Sequence, residues 1–311
     1  MPSIDEATAV LRRGGLVAFP TETVYGLGAD ASNPAALARL YAVKGRPLNH
    51  TVIVHLGDAT QLSRWAREIP WHAERLAERF WPGPLTLVLR RAKGVGDELT
   101  GGQDTIGLRV PGHPLALELL QEFGGGIAAP SANRFGRISP TTAKHVRDDL
   151  GSDVDLILDG GACEIGIEST IVDLSRGGPV LLRPGRVGAA DLADALGVAP
   201  KAPDAAAPRA SGSLESHYAP RRPLRLINSS QWNPGTVSPR RAVMAFGPRP
   251  AGDASLVWIE ASSDPLRYGH DLYANLRALD ASGCDEILVE APPDAAEWSA
   301  VRDRLMRARS R

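Results

Sequence analysis

The side chains best suited to chemistry in this chain are cations and hydroxyls placed at the ends of short apolar runs. Lys44-Gly45-Arg46-Pro47 closes a helix-like stretch. Arg109 lies inside the strand-like run from Thr105 through Gly107 to Pro111, and Arg183 lies in Leu182-Arg183-Pro184-Gly185. A charged side chain flanked by apolar residues needs a partner, and the guanidinium fork matches a carboxylate or a phosphate. Hydroxyls and small amides recur nearby in sequence: Thr21 and Thr23 in the segment 20–28, Ser131 and Asn133 in Ala129-Pro130-Ser131-Ala132-Asn133, Ser139 before Pro140, and Ser169 between Glu168 and Thr170. Such groups at strand ends can orient a small polar ligand, and Gly26 and Gly28 would let backbone approach it closely. Each group also has a plain structural use. Hydroxyl-rich and glycine-rich segments make turns, cations favour helix C-termini, and Arg109 could serve a structural ion pair. His55, at the end of a strand-like run, stands where a satisfied, partly buried histidine is common.

The elements that must position these residues are short and alternate irregularly. Ser3 with Glu6 forms a capping box that opens a helix, which Gly14-Gly15 ends. Residues 16–19 read as a buried strand, and Pro20 stops it and begins a loop. Asn33-Pro34 starts a helix that runs to about residue 43. Strands are expected at 52–56, 85–90, 105–110, 127–129, 156–158, 170–174 and 180–182. Helices are expected at 58–66, 70–80, 115–123, 141–150 and 188–196, with a hard break at Trp81-Pro82-Gly83-Pro84. This mixture lacks the regular alternation of a doubly wound fold, so the expectation is a mixed α/β sheet with flanking helices over residues 1–198. Residues 199–223, rich in Ala and Pro, read as a linker. Beyond it, strands near 224–227, 242–245, 256–259 and 286–289 with helices near 264–280 and 296–308 predict a small α/β domain over 224–311.

Composition narrows the function classes. The formal net charge of -1 over 311 residues supplies no overall field for nucleic acid or membrane, so any anion site is local. Cys163 and Cys284 form neither a CxxC pair nor a metal-ligand spacing. The N-terminal residues lack the apolar core of a signal peptide, and no apolar run approaches the ~20 residues that span a bilayer. A soluble, cytoplasmic chain with no membrane contact is expected. No P-loop, no dinucleotide fingerprint, no nucleophile elbow and no H-E-x-x-H is present.

Taken in order, KGRP, WPGPLT, the Thr105 to Arg109 run, APSAN, ESTIVD and LLRPG resemble the threonylcarbamoyl-AMP synthase family, also called YrdC-like, over about residues 3–190. SHYAP at Ser216 to Pro220 and the segment after it are similar to the longer, two-domain branch of that family. The resemblance implies a YrdC-like mixed twisted sheet, a linker covering the active site, and a small Rossmann-like C-terminal domain. It implies an enzyme that joins ATP, L-threonine and bicarbonate into threonylcarbamoyl-AMP and pyrophosphate, whose product downstream threonylcarbamoyl-transferase proteins carry to an adenosine beside the anticodon of tRNA.

Carried over by position, Thr23, His55, Arg109, Ala129 and Ser169 would surround threonine, with Arg109 on its carboxylate. Lys44, Arg46, His50, Thr105, Ser131, Asn133, Ser139, Arg183, His217 and Tyr218 would surround ATP, with Lys44 and Arg46 the catalytic cations. His50 and Thr51 depart from the asparagine and proline common at those positions. Mg²⁺ would be held by the phosphates, which supply its oxygens without a protein cage. Catalysis would come from positioning and charge stabilisation and needs no nucleophilic side chain. A competing reading is a non-catalytic RNA-binding module, since residues 201–250 hold eight Lys/Arg against two Asp/Glu and could touch tRNA. A carbamoyl-transfer enzyme of hydrogenase maturation is a third, but two cysteines cannot build the zinc fingers of those chains.

Overall fold

The computed structural model describes residues 2–212, 216–228, 240–249 and 256–310, so residues 213–215 of the expected linker lie outside it. The chain divides into two compact units, one made of residues 1–135 and 140–213 and the other of residues 136–139 and 214–311.

The first unit is built on nine strands: β1 (Val17–Phe19), β2 (Gly26–Asp30), β3 (Ile53–His55), β4 (Leu85–Arg90), β5 (Thr105–Arg109), β6 (Ile127–Ala128), β7 (Leu156–Ile157), β8 (Thr170–Asp173) and β9 (Val180–Arg183). They lie in the order β7-β1-β2-β6-β3-β5-β4-β8-β9. Parallel and antiparallel neighbours alternate irregularly: β3 runs parallel to β5, β5 antiparallel to β4, and β4 parallel to β8. This is the mixed sheet that the irregular order of elements implied.

Side chains alternate across the sheet, and its two faces are covered differently. On one face, Val54, Leu87, Leu108 and Val172 join the main core with residues of the helices α2 (Pro34–Lys44), α3 (Leu62–Trp65), α4 (Trp71–Phe80), α5 (Asp97–Thr100), α7 (Ala143–Leu150) and α8 (Ala189–Leu196). On the other, α1 (Ile4–Arg12) and α6 (Pro114–Phe123) pack on Val17, Phe19 and Ile127 and so cover only the β1, β6 and β7 side. The remainder of that face carries a small apolar cluster of Val88, Ile171, Val180 and Leu182, against which Ala207 and Ala210 of the expected linker lie. A strip of sheet is thus covered by an extended segment in place of a helix.

Local signals place the helix ends. The Ser3–Glu6 capping box is formed in full. Asn33 accepts from the Ala35 and Ala36 amides ahead of Pro34, and Gly45 closes α2 in the left-handed conformation, φ 63°. One strand departs from expectation. The loop after Pro20 ends at Tyr25, because residues 26–30 form β2, antiparallel to β1. Two glycines and no β-branched residue hide its strand character. Their role is close packing: a Cβ on Gly28 would stand 2.9 Å from both Phe19 and Ile127.

The second unit contains a parallel sheet of β10 (Leu224–Ile227), β11 (Arg241–Ala245), β12 (Val257–Glu260) and β13 (Glu286–Glu290), in the order β10-β13-β11-β12. Helices α9 (Pro265–Asp280) and α10 (Ser299–Ala308) belong to it.

Candidate functional site

The face of the sheet that lacks a covering helix gathers several of the sequence-predicted groups. His55 pairs in register with Arg109, Ile53 with Gly107, and Gly107 with Val88. Thr86 pairs with Ile171, and Ile171 with Arg183. Paired residues share a face, and so do residues two apart. His55, Thr105, Gly107, Arg109, Thr86, Val88, Ile171 and Arg183 therefore line one surface, while their neighbours face the core.

Arg109 is buried. Its Nε donates to the Gly83 carbonyl at 3.1 Å and its Nη1 to Thr23 Oγ1 at 3.0 Å, and Nη2 lies 2.7 Å from Glu22 Oε1. Thr23 is fixed in turn by Thr21, whose hydroxyl lies 2.8 Å from its own. Beside them, burial and then the Arg109 cation push His55 down to about 3, so its ring is neutral at pH 7. Its Nδ1 has no hydrogen-bond partner among the described residues. The Ala129 amide donates to the Ile53 carbonyl at 3.0 Å, which brings the chain after β6 onto β3.

Ser169 links a second cation to this row. Its hydroxyl lies 2.8 Å from Thr86 Oγ1 and accepts from Arg183 Nη2 at 3.2 Å. Arg183 Nε donates to the Ser169 carbonyl at 3.0 Å and Nη1 to the Ser211 carbonyl at 2.8 Å. Arg183 so ties β9 to the segment crossing above it.

Lys44 and Arg46 form the third group. The Lys44 ammonium donates to the carbonyls of Ser131 at 2.5 Å and Asn133 at 2.6 Å, holding that loop against the end of α2. Burial, and then the neighbouring Arg46, push Lys44 well below its ordinary value. Arg46 donates to the Thr51 carbonyl at 2.6 Å and stands 5.5 Å from the Phe135 ring centre. His50 meets the same ring edge-on at 5.2 Å, and burial, then Arg46, lower its pKa.

Three partners of these groups, Thr51, Thr86 and Ser211, help to line a small cavity together with Thr105, Gly107 and Arg209, with a volume of about 10 Å³. That is room for about one water. Arg209 is clamped over it by Gln103, whose Oε1 accepts from the Arg209 amide at 2.7 Å while Nε2 donates to its carbonyl at 3.1 Å.

Twelve of the sequence-predicted residues thus lie in the first unit: Thr23, Lys44, Arg46, His50, His55, Thr105, Arg109, Ala129, Ser131, Asn133, Ser169 and Arg183. The other three, Ser139, His217 and Tyr218, are buried and belong to the second unit. There the His217 amide donates to the Arg307 carbonyl, and the Tyr218 ring stands 5.6 Å from that of Tyr273. Sequence reasoning passed over Glu22, Thr86, Gln103 and Arg209. Thr86 was within reach, since period-2 alternation in β4 sets it apart from the core residues Leu85 and Leu87. Gln103 and Arg209 act through contacts across 106 residues of chain, which no local pattern records.

The fold and the site together define an α/β protein whose mixed sheet carries a hydroxyl-rich pocket under a crossing segment, with buried arginines on the same face of the sheet. Residues 9–185 match the Sua5/YciO/YrdC family, described as telomere recombination, and residues 187–310 match the C-terminal domain of threonylcarbamoyl-AMP synthase. The chain belongs to the Sua5/YrdC family of threonylcarbamoyl-AMP synthases. It is 38% identical to the threonylcarbamoyl-AMP synthase of Pyrococcus abyssi, over 97% of this chain and 92% of that one. It is also 38% identical to that of Bacillus subtilis, over 99% and 93%. The crystal structure of P. abyssi Sua5 complexed with L-threonine superposes with a TM-score of 0.87 at 37% identity, covering 98% of this chain and 93% of that one. Among the described residues no helix is long and apolar enough to cross a membrane.

Proposed function

We propose that this chain forms threonylcarbamoyl-AMP and pyrophosphate from ATP, L-threonine and bicarbonate, for threonylcarbamoyladenosine modification of tRNA beside the anticodon. The observation that supports the reading is the set of buried cations in the first unit: Arg109 and Arg183 on one face of the sheet, and Lys44 and Arg46 at the end of α2. A triphosphate, an amino acid carboxylate and a carbamate bring several negative charges together. Local cations must offset their repulsion, since the net charge of -1 gives no help.

In this reading threonine and bicarbonate first give the N-carboxy amino acid and water. A carbamate oxygen then attacks the α-phosphorus of ATP, and pyrophosphate leaves with the electrons of the broken P–O bond. Arg109, with Thr23, His55, Ala129 and Ser169, would receive threonine. The neutral His55 can bond a hydroxyl without adding charge. Lys44, Arg46, His50, Thr105, Ser131, Asn133 and Arg183 would receive the nucleotide, and the cations would stabilise charge developing on the phosphates. The described residues group no three metal-ligating side chains. Mg²⁺ would be held by phosphate oxygens, where it would neutralise their charge. A segment closing over the cavity would keep water from a labile mixed anhydride.

The basic stretch 201–250 gives little support to RNA binding as the main role. Arg225 and Arg241 both pair with Glu286, Arg240 pairs with Asp285, and Arg209 donates to the Gly101 carbonyl. Incubation with ATP, Mg²⁺, labelled threonine and bicarbonate, followed by detection of the mixed anhydride, tests the proposal. Pyrophosphate release that requires both threonine and bicarbonate is expected. Release independent of threonine, or none, would overturn it.

A further inference from the structure

Glu22 has no part in the reaction as set out, yet it is buried against the arginine assigned to the amino acid's carboxylate. It sits between β1 and β2 and is 7% exposed. Its Oε1 lies 2.7 Å from Arg109 Nη2, but out of hydrogen-bond alignment. Neither Glu22 oxygen has a hydrogen-bond partner among the described residues, and Arg109 Nη2 has none either. Buried carboxylates are almost always satisfied, and leaving one unbonded is costly. Nε and Nη1 of Arg109 are already committed to Gly83 and Thr23, so the hydrogen-bonding capacity left over is that of Nη2 and of the two Glu22 oxygens. Arginine N–H bonds and glutamate lone pairs thus lie side by side.

The charges around the pair narrow what could use that capacity. His55, at about 3, is neutral at pH 7. Burial pushes the Cys163 thiol up to about 12 and lowers His113, so neither carries charge there. What remains is one positive and one negative charge in contact, a receptor of zero net charge. A lone carboxylate arriving at Arg109 would be repelled by Glu22. An α-amino acid instead brings an ammonium one carbon away from its carboxylate, and the four charges then alternate in sign, which is favourable at short range away from water.

We propose that Glu22 receives the substrate's α-ammonium group and thereby restricts the site to free α-amino acids, rejecting carboxylic acids that lack the amino group. The inference rests on the reading of Arg109 as the holder of the carboxylate. Carboxylation of the nitrogen removes the ammonium charge and its attraction to Glu22, so the selection acts on the amino acid as it enters.

The test is calorimetric titration of the full chain with L-threonine and with 3-hydroxybutyrate, which keeps the carboxylate and the side-chain hydroxyl but has no amino group. The same titrations are run on Glu22→Gln and Glu22→Asp. The unaltered chain should prefer threonine. In Glu22→Gln, threonine should weaken by about tenfold to a hundredfold, the scale of a lost charge-assisted hydrogen bond, while 3-hydroxybutyrate holds or tightens. Glu22→Asp should restore part of the preference. Equal weakening of both ligands in Glu22→Gln, or an unchanged ratio, overturns the inference and leaves Glu22 a structural counter-ion. The ratio is taken within each protein, so a general loss of stability cancels. Failure of threonine to bind the unaltered chain would instead overturn the proposed function.

Discussion

Replacing Gln103 with alanine should loosen the segment that closes the cavity. Gln103 holds both the amide and the carbonyl of Arg209, at 2.7 and 3.1 Å. Neutral hydrogen bonds contribute about 0.5–1.5 kcal/mol each, and water competes at this exposed position, so the pair amounts to about 1–2 kcal/mol. Other ties would remain: Arg183 to Ser211 at 2.8 Å, Arg209 to Gly101 at 2.9 Å, and the contact of Ala207 and Ala210 with the Val88 cluster. The cavity beneath is about 10 Å³, whereas ligand pockets run to several hundred Å³, so under the proposed function a nucleotide would enter only when the segment lifts. Weakening the closed form by about 1–2 kcal/mol raises the open population about 5- to 30-fold. Hydrogen exchange of the amides in 205–212 should quicken by that factor, and ATP should associate faster, with little change in the thermal midpoint. Unchanged exchange together with an unchanged association rate would refute the gating role of this segment.

Three further perturbations address the site directly. Arg46→Ala should nearly abolish pyrophosphate release while circular dichroism stays native, and a wild-type rate would remove Arg46 from the phosphate site. Arg109→Ala should raise the threonine requirement far more than the ATP requirement. It also strands buried Glu22 without its counter-charge, at a cost of about 3–5 kcal/mol, so the Glu22→Gln/Arg109→Ala double variant should be the more stable; a double variant no better than the single contradicts the pairing. His55 has a folded pKa of about 3 against 6.5 for an ordinary histidine, so between those values the unfolded chain binds a proton that the folded one refuses. Stability should therefore fall as pH drops from about 6.5 towards 3, by up to about 1.4 kcal/mol per pH unit from this group. Urea midpoints should show that slope reduced in His55→Gln, and identical slopes would mean the ring is not excluded from water.

Much of the local structure was legible because its causes are local. Ser3 with Glu6, and Asn33 with Pro34, satisfy helix-end amides from within four residues, so they announce themselves in any short window. Apolar runs such as 85–90 marked strands buried on both faces. The order of motifs pointed to the family to which the chain belongs. β2 was not legible, since its strand character comes from hydrogen bonds to β1 and its glycines from the bulk of Phe19 and Ile127.

By itself, then, the sequence determined which residues could meet anions and which elements would carry them, because residue chemistry and short-range backbone preference travel with the chain. The tertiary structure alone decided the neighbours. Strand order sets His55 beside Arg109 across more than fifty residues of sequence, and burial makes that histidine neutral. The loop after β1 delivers Glu22 to the same arginine, and a segment some hundred residues further on closes over the cavity. Alternation within each strand could be read in advance. Which strands would lie together could not, because pairing is chosen by the free energy of the whole sheet and its two cores rather than by any one strand.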